Sequence, residues 1–233
     1  MYYNVKMQVI PSIDVEKVTE LKSQLERLTP FYRRYQIDFA DGKFVNSTTP
    51  SISDLLQSLI LYPSMRFDIH LMALDYQGAL KLIGQRAKEV NFGVVFIHHA
   101  SKPSPEMFLE KNKPYKLGLV LNPEDSVDTI RQSYDLPNME NIQIMSVNPG
   151  PQGSSFLPDT LNKIEQLRLA GYKHSIFLDG GVNEESLKAI LGKRHLPDFI
   201  CPGSFFSRSK NIEERVQYLS EVLTHESNAN QNA

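Results

Sequence analysis

Short apolar, β-branched runs recur along the chain, and between them lie stretches whose apolar positions fall at helical spacing. Val5 to Ser12 predicts a first strand. Val18, Leu21, Leu25 and Leu28 then predict a helix over Val15 to Leu28. Tyr35 to Ala40 is the second strand, and Ser53 has the chemistry of an N-cap for a helix running to about Leu61, which Pro63 ends. Phe67 to Met72 reads as the third strand, Tyr76 to Arg86 as the third helix and Phe92 to His98 as the fourth strand. Pro103 and Pro105 leave room only for a short helix near Glu106 to Lys111. The pattern continues with strand Leu117 to Leu121, helix Asp125 to Ser133, strand Ile142 to Val147 and helix Leu161 to Leu169. It closes with strand Ser175 to Leu178, helix Glu184 to Leu191, strand Phe199 to Cys201 and helix Ile212 to Leu223. His225 to Ala233 is polar and Asn-rich and reads as a disordered tail.

Alternation of this kind predicts a parallel sheet. Eight strand–helix units with no linker-like break predict one α/β domain over residues 1–224, a closed (β/α)8 TIM barrel. A doubly wound open sheet is the alternative, but no G-x-G-x-x-G turn follows the first strand, which weighs against dinucleotide binding. Length agrees, since 233 residues suit such a barrel. A net charge of −2 argues against a nucleic-acid partner. No apolar run approaches the roughly 20 residues of a membrane span, and Met1 to Lys6 lacks the start of a signal peptide. One cysteine, Cys201, excludes an intramolecular disulfide. The expectation is a soluble cytoplasmic protein.

In a barrel of this class the strand carboxyl ends carry the chemistry. Along the second strand Gln36, Asp38 and Ala40 share one face, and Ile37 and Phe39 the other. An inward Asp38 needs a partner, a metal or a task, because an unpaired buried charge is costly. Other strand ends bring Ser12, Asp41, Asp68, His70, Met72, His98, His99, Ser146 and Asp179 to the same rim. Asp38, His70 and Asp179 suit a divalent metal of the Zn, Mn or Fe kind. A hydrogen-bonded His–Asp set without metal is the alternative. Gly180-Gly181 and Gly203-Ser204, after the last two strands, stand where barrels frequently bind phosphate on backbone N–H groups.

These residues bring the chain to a known family. Pro11-Ser12-Ile13, Asp38 with Asp41-Gly42 and Phe44-Val45, Asp68-Ile69-His70-Leu71-Met72, Leu121-Asn122-Pro123, Met145 to Gly150, Asp179 to Val182 and Gly203-Ser204 occur in an order and spacing that resemble the ribulose-phosphate 3-epimerase family from about Val9 to Phe206. The resemblance implies a ketose phosphate substrate such as D-ribulose 5-phosphate, a divalent metal cofactor (Zn, Mn or Fe), and inversion at C3. One Asp removes the proton, the metal stabilises the ene-diolate and the second Asp reprotonates the opposite face. Carried over by position, Asp38 and Asp179 are the acid–base pair, and Asp38, His70 and Asp179 are metal ligands. Ser12, His70, Met72, Met145, Gly150 and Gly153 contact substrate, and Gly180, Gly181, Gly203 and Ser204 bind its phosphate. A homo-oligomer is also implied.

The departures from the family pattern sit in the site. Gln36 stands where the family has a further ligand His, and an amide oxygen is a weaker donor to zinc-like metals than imidazole. Ala40 replaces a family Met, which is expected to open the apolar wall. The loop Gly150-Pro151-Gln152-Gly153-Ser154 lacks a family glycine and aromatic, and Pro151 fixes one φ angle. His98 or His99 is the candidate to supply the missing imidazole. A second functional reading is a phosphate-binding barrel without epimerisation: a metal-free lyase or decarboxylase, or a non-catalytic phosphosugar sensor. Asp41-x-Lys43 resembles the start of the Asp-x-Lys-x-x-Asp motif of such decarboxylases, with Asn46 in its third place.

Overall fold

The computed structural model of the chain describes residues 7–150 and 153–229, the last five by backbone alone. In chain order the elements are β1 (Gln8–Val9), β2 (Ser12–Ile13), α1 (Val18–Leu28), β3 (Arg34–Ala40), α2 (Ile52–Leu59), β4 (Arg66–Met72), α3 (Tyr76–Arg86), β5 (Phe92–His98) and β6 (Lys116–Leu121). They continue as α4 (Val127–Ser133), β7 (Asn141–Met145), α5 (Asn162–Leu169), β8 (Ser175–Asp179), α6 (Glu184–Leu191), β9 (Phe199–Cys201), α7 (Ser204–Ser207) and α8 (Ile212–Ala229).

All strand pairs are parallel, in the order β1-β9-β8-β7-β6-β5-β4-β3-β2. Segments β1 and β2 are the halves of one N-terminal strand, parted at Ile10-Pro11, where proline has no N–H to give the ladder. The first half pairs with β9 and the second with β3. Ile10 N donates to Ile200 O, and Gln36 N donates to Pro11 O. The split strand therefore closes the ring, and the chain is a (β/α)8 barrel. Among the described residues no helix is long and apolar enough to cross a membrane.

Several boundaries differ from the sequence reading for local reasons. Ser51, not Ser53, caps α2, its Oγ accepting from Asp54 N at 3.2 Å. Glu20 Oε2 takes the N–H groups of Glu16 and Lys17, so α1 begins at Val18 rather than Val15. Pro105 opens a short 3-10 turn, Pro105–Leu109, in place of the α-helix expected near Glu106 to Lys111. The α8 backbone runs on to Ala229, into the stretch read as a tail, and residues 230–233 lie outside the described residues.

The alternation along β3 is realised as read. Tyr35 and Ile37 pack outward against the helices, whereas Gln36 and Asp38 point into the barrel, where both are buried. The barrel interior has its own apolar core of Ile10, Val94, Phe96, Val120, Phe177 and neighbours. Below it, Asp68 is tied to Arg34 by two bonds, Nε to Oδ2 at 2.9 Å and Nη2 to Oδ1 at 3.1 Å. The Arg34 guanidinium rests 4.9 Å from the Phe199 ring centroid and 5.5 Å from that of Phe177. Asp68 is thus a residue of the barrel floor and not of its mouth.

Gly93 makes room for that pair: a Cβ there would lie 2.0 Å from Asp68 Oδ1 and 2.9 Å from Arg66 Nε. The nearer obstacle is the buried Asp68 carboxylate, held by Arg34, so the clash cannot relax cheaply. Gly93→Ala is expected to destabilise the fold by about 1–3 kcal/mol, read as a lower urea midpoint. An unchanged midpoint would show the floor to be more pliable than its packing implies.

Candidate active site

The register of the sheet brings the chemistry together. Asp38 on β3 lies beside His70 on β4, and Met145 on β7 beside Asp179 on β8. One cavity at the strand carboxyl ends is lined by Ser12, Asp38, His70, Met72, Met145, Gly150, Gly153, Asp179, Gly180, Gly181, Gly203 and Ser204. Every residue that the sequence assigned to proton transfer, substrate or phosphate is therefore on this one surface. Val147 and Ser154, from stretches that the sequence reading quoted, line it as well, as do Asp14 and Cys201, which sequence reasoning had not singled out for the site. Pro151 and Gln152, which carry the expected proline constraint, lie outside the described residues.

The centre is a buried trio. One ligand atom each of Asp38, His70 and Asp179 lies within 4.8 Å of the others. His70 Nδ1 stands 3.2 Å from Asp38 Oδ1 and 3.3 Å from Asp179 Oδ2. Ser12 Oγ donates to Asp38 Oδ2 at 2.7 Å. Burial lowers the His70 pKa, but Asp179 and Asp38 outweigh it and lift the pKa to about 9. Burial raises the Asp38 pKa; His70 opposes this and Asp179 adds to it.

Behind His70 runs a chain of bonds that fixes its orientation. Asn122 Nδ2 donates to Glu124 Oε1, so Asn122 Oδ1 faces His98 Nδ1 at 2.7 Å and accepts its proton. His98 Nε2 is then an acceptor, and His70 Nε2, 2.8 Å away, donates to it. Burial, with the His70 charge second, holds the His98 pKa well below the usual imidazole value. His98 therefore orients His70 from the far side and does not join the carboxylates as the missing imidazole. His99 pairs with Asp125 at 2.9 Å, and neither lines the cavity.

Gln36 is fully buried and turns Nε2 toward both carboxylates, 2.7 Å from Asp179 Oδ2 and 3.2 Å from Asp38 Oδ1. Its Oε1 has no partner among the described residues. Gln143, on β7, reaches Asp179 from another side, with Nε2 3.0 Å from Oδ2 and Oε1 unpartnered among the described residues. The sequence reading passed over Gln143. Its signal was a lone amide on the inward period-2 face shared with Met145 and Val147.

Other expectations resolve locally. The wall at Ala40 does not open: Ala40 is buried against Val45 and Met72, with Phe44 packed on them. Asp41 Oδ1 accepts from Lys43 N and Phe44 N, and Oδ2 from Leu74 N, each at 2.8 Å. Both oxygens serve the turn, and Lys43 is exposed, so the decarboxylase-like pair forms no site. Gly180 and Gly181 have φ of +103° and +65°, the left-handed region that glycine enters without penalty. A Cβ on Gly180 would meet Val147 Cγ2 at 2.4 Å. Ser146 Oγ donates to Asp179 O and Gly180 O, pinning this turn below the cavity.

The donor set fits a divalent cation: two carboxylates and an imidazole nitrogen converge, all buried and each oriented by a further hydrogen bond. Either a cation or the His70 proton can occupy the space at Nδ1.

Residues 8–203 match the model of the ribulose-phosphate 3-epimerase family. The ribulose-phosphate 3-epimerase of Synechocystis sp. is 32% identical over 190 residues, covering 77% of this chain and 78% of its own. That of Buchnera aphidicola is 30% identical, covering 80% and 82%. Among solved structures, KGPDC from Streptococcus mutans superposes with a TM-score of 0.65 at 12% identity, over 94% of this chain and 98% of that one. Orotidine 5'-phosphate decarboxylase from Pyrococcus horikoshii gives 0.62 at 10% identity, over 93% and 99%. At these identities the structural likeness concerns the barrel alone.

Two outcomes are expected at this centre. A cation at Nδ1 must displace the His70 proton, so Mn²⁺ affinity should rise about tenfold per pH unit from pH ~6.5 upward and level off near pH ~9. Calorimetry in buffers of different ionisation enthalpy would detect the released proton, and an affinity flat in pH would refute the protonated His70. Gln36→His exchanges an amide N–H for an imidazole lone pair facing both carboxylates, and should tighten Zn²⁺ binding. Unchanged affinity would place position 36 outside the ligand sphere.

Proposed function

We propose, from the premise that the chain belongs to the ribulose-phosphate 3-epimerase family, that it inverts C3 of D-ribulose 5-phosphate or a closely similar ketose phosphate. The carrying observation is the pair Asp38 and Asp179, two carboxylates from different strands facing one cavity and bridged by one imidazole. Inversion at a carbon next to a carbonyl needs a base on one face and an acid on the other, and two carboxylates fit that need.

In the proposed reaction one aspartate takes the C3 proton, and the C–H electron pair passes toward the C2 carbonyl to give an ene-diolate. The other aspartate then delivers a proton to the opposite face. Burial raises the Asp38 pKa, while His70 and the Ser12 hydroxyl, which donates to its Oδ2, favour the carboxylate that accepts a proton. Asp179 has its Oδ2 held by Gln36 and Gln143 and keeps Oδ1 for the reacting carbon. A divalent ion held by Asp38, His70 and Asp179 would add positive charge beside the developing oxyanion, which is worth several kcal/mol. Met72, Met145 and Val147 line the cavity with apolar surface that keeps water from the carbanion. Gly180, Gly181, Gly203 and Ser204 are proposed to take the phosphate on backbone N–H groups, where positive-φ glycines allow close approach.

The test is an exchange assay. Protein loaded with Zn²⁺, Mn²⁺ or Fe²⁺ and given D-ribulose 5-phosphate in D₂O should yield xylulose 5-phosphate carrying deuterium at C3. Folded protein that exchanges nothing with any metal removes the reading. Asp179→Asn should lower turnover by about 10²–10⁴-fold, and full exchange in that variant would remove the two-aspartate assignment.

A further inference from the structure

Gln143 is a polar side chain in an apolar place. It is fully buried on β7, in register with Val120 on β6 and Phe177 on β8, both of the barrel-interior core. Its single oxygen partner is Asp179 Oδ2, 3.0 Å from Nε2; its other contact is the Met145 sulfur at 3.8 Å. Its Oε1 has none. A buried amide oxygen without a partner destabilises a fold, and a leucine of similar size would carry no such penalty. The apolar surroundings therefore do not account for an amide here, and local packing rules are broken chiefly at functional sites.

What the amide does is visible on Asp179. Three donors from three strands converge on Oδ2: Gln36 Nε2 at 2.7 Å, Gln143 Nε2 at 3.0 Å and His70 Nδ1 at 3.3 Å. Among the described residues nothing bonds Oδ1, and Asp179 lines the cavity. One oxygen is clamped and the other is presented. Asp38 differs, since Ser12 occupies one of its oxygens and Gln36 with His70 the other.

We propose that Gln143 is a positioning residue: by holding Oδ2 it sets the plane of the Asp179 carboxylate and aims Oδ1 at the reacting carbon or cation. The inference rests on the proton-transfer role proposed above for Asp179. Without the Gln143 donor, the carboxylate can swing about its Cβ–Cγ bond, and both proton transfer and cation binding lose their fixed geometry.

Gln143→Leu and Gln143→Met remove the donor and keep the volume. Each should be compared with the wild type by thermal unfolding, by calorimetry with Mn²⁺ alone on metal-stripped protein, and by kcat and KM on D-ribulose 5-phosphate. The expected result is an unchanged or higher Tm, with Mn²⁺ affinity and kcat both lower by about 10–100-fold and KM nearly unchanged. Wild-type kcat and Mn²⁺ affinity in either folded variant would overturn the proposal. So would Tm and kcat falling together in Gln143→Leu while Gln143→Met retains both, because packing would then suffice. Wild-type protein inert on the ketose phosphate would fail the epimerase reading in the wild type itself. The Mn²⁺ comparison between variant and wild type would still decide the positioning role.

Discussion

Two carboxylates, Asp38 and Asp179, are buried a few ångströms apart, and the structure around them is arranged to make that charge tolerable. Burial penalises the charged form of Asp38, and the Asp179 carboxylate beside it adds to that penalty. The compensation is distributed. His70 stands between them, Ser12 takes one oxygen of Asp38, and two glutamine amides converge on Asp179. Each donor comes from a different strand, so the arrangement exists only once the barrel has closed. Function and ring closure are therefore one constraint: the split strand that pairs with both β9 and β3 is also the strand that delivers Ser12.

The barrel interior handles its other buried carboxylate differently. Asp68 has a permanent counter-ion in Arg34, bound through both oxygens, and a third bond from Val94 N at 2.7 Å. That site is saturated and offers nothing to a ligand. The mouth keeps one carboxylate oxygen free and one imidazole position that a proton or a cation can fill. Asp38 lies two positions after Gln36 and Asp68 two positions before His70, yet the two carboxylates end with opposite roles, decided by what the neighbouring strands supply.

Much of this was legible in the chain. Period-2 alternation placed Gln36 and Asp38 inward, and the count of strand–helix units gave the barrel, because both follow from local side-chain direction. The strand-end rule then collected Asp38, His70, Asp179 and the glycine pairs on one surface. What escaped were contacts set by register between distant strands. Gln143 meets Asp179 across 36 residues of sequence, and His98 meets His70 through ring nitrogens whose orientation depends on Asn122. No periodicity specifies such pairings. The filling of the space at Ala40 by Val45 and Phe44 likewise depends on a loop conformation, itself fixed by Asp41 accepting two backbone N–H groups.

Gln36 changes the electrostatics of the centre more than its size suggests. An imidazole at that position could bind a proton when no cation is present, so that two carboxylates and two imidazolium groups would sum to zero. With an amide there, the formal charges of two carboxylates and one imidazolium sum to one unit negative. A divalent cation that displaces the His70 proton brings the sum to zero. The amide therefore weakens the ligand set while strengthening the field that draws a cation in. Its N–H groups meanwhile hold both carboxylates apart and oriented in the cation's absence. The geometry of the centre then rests on hydrogen bonds made by the chain itself, and a cation adds charge to a frame that is already built.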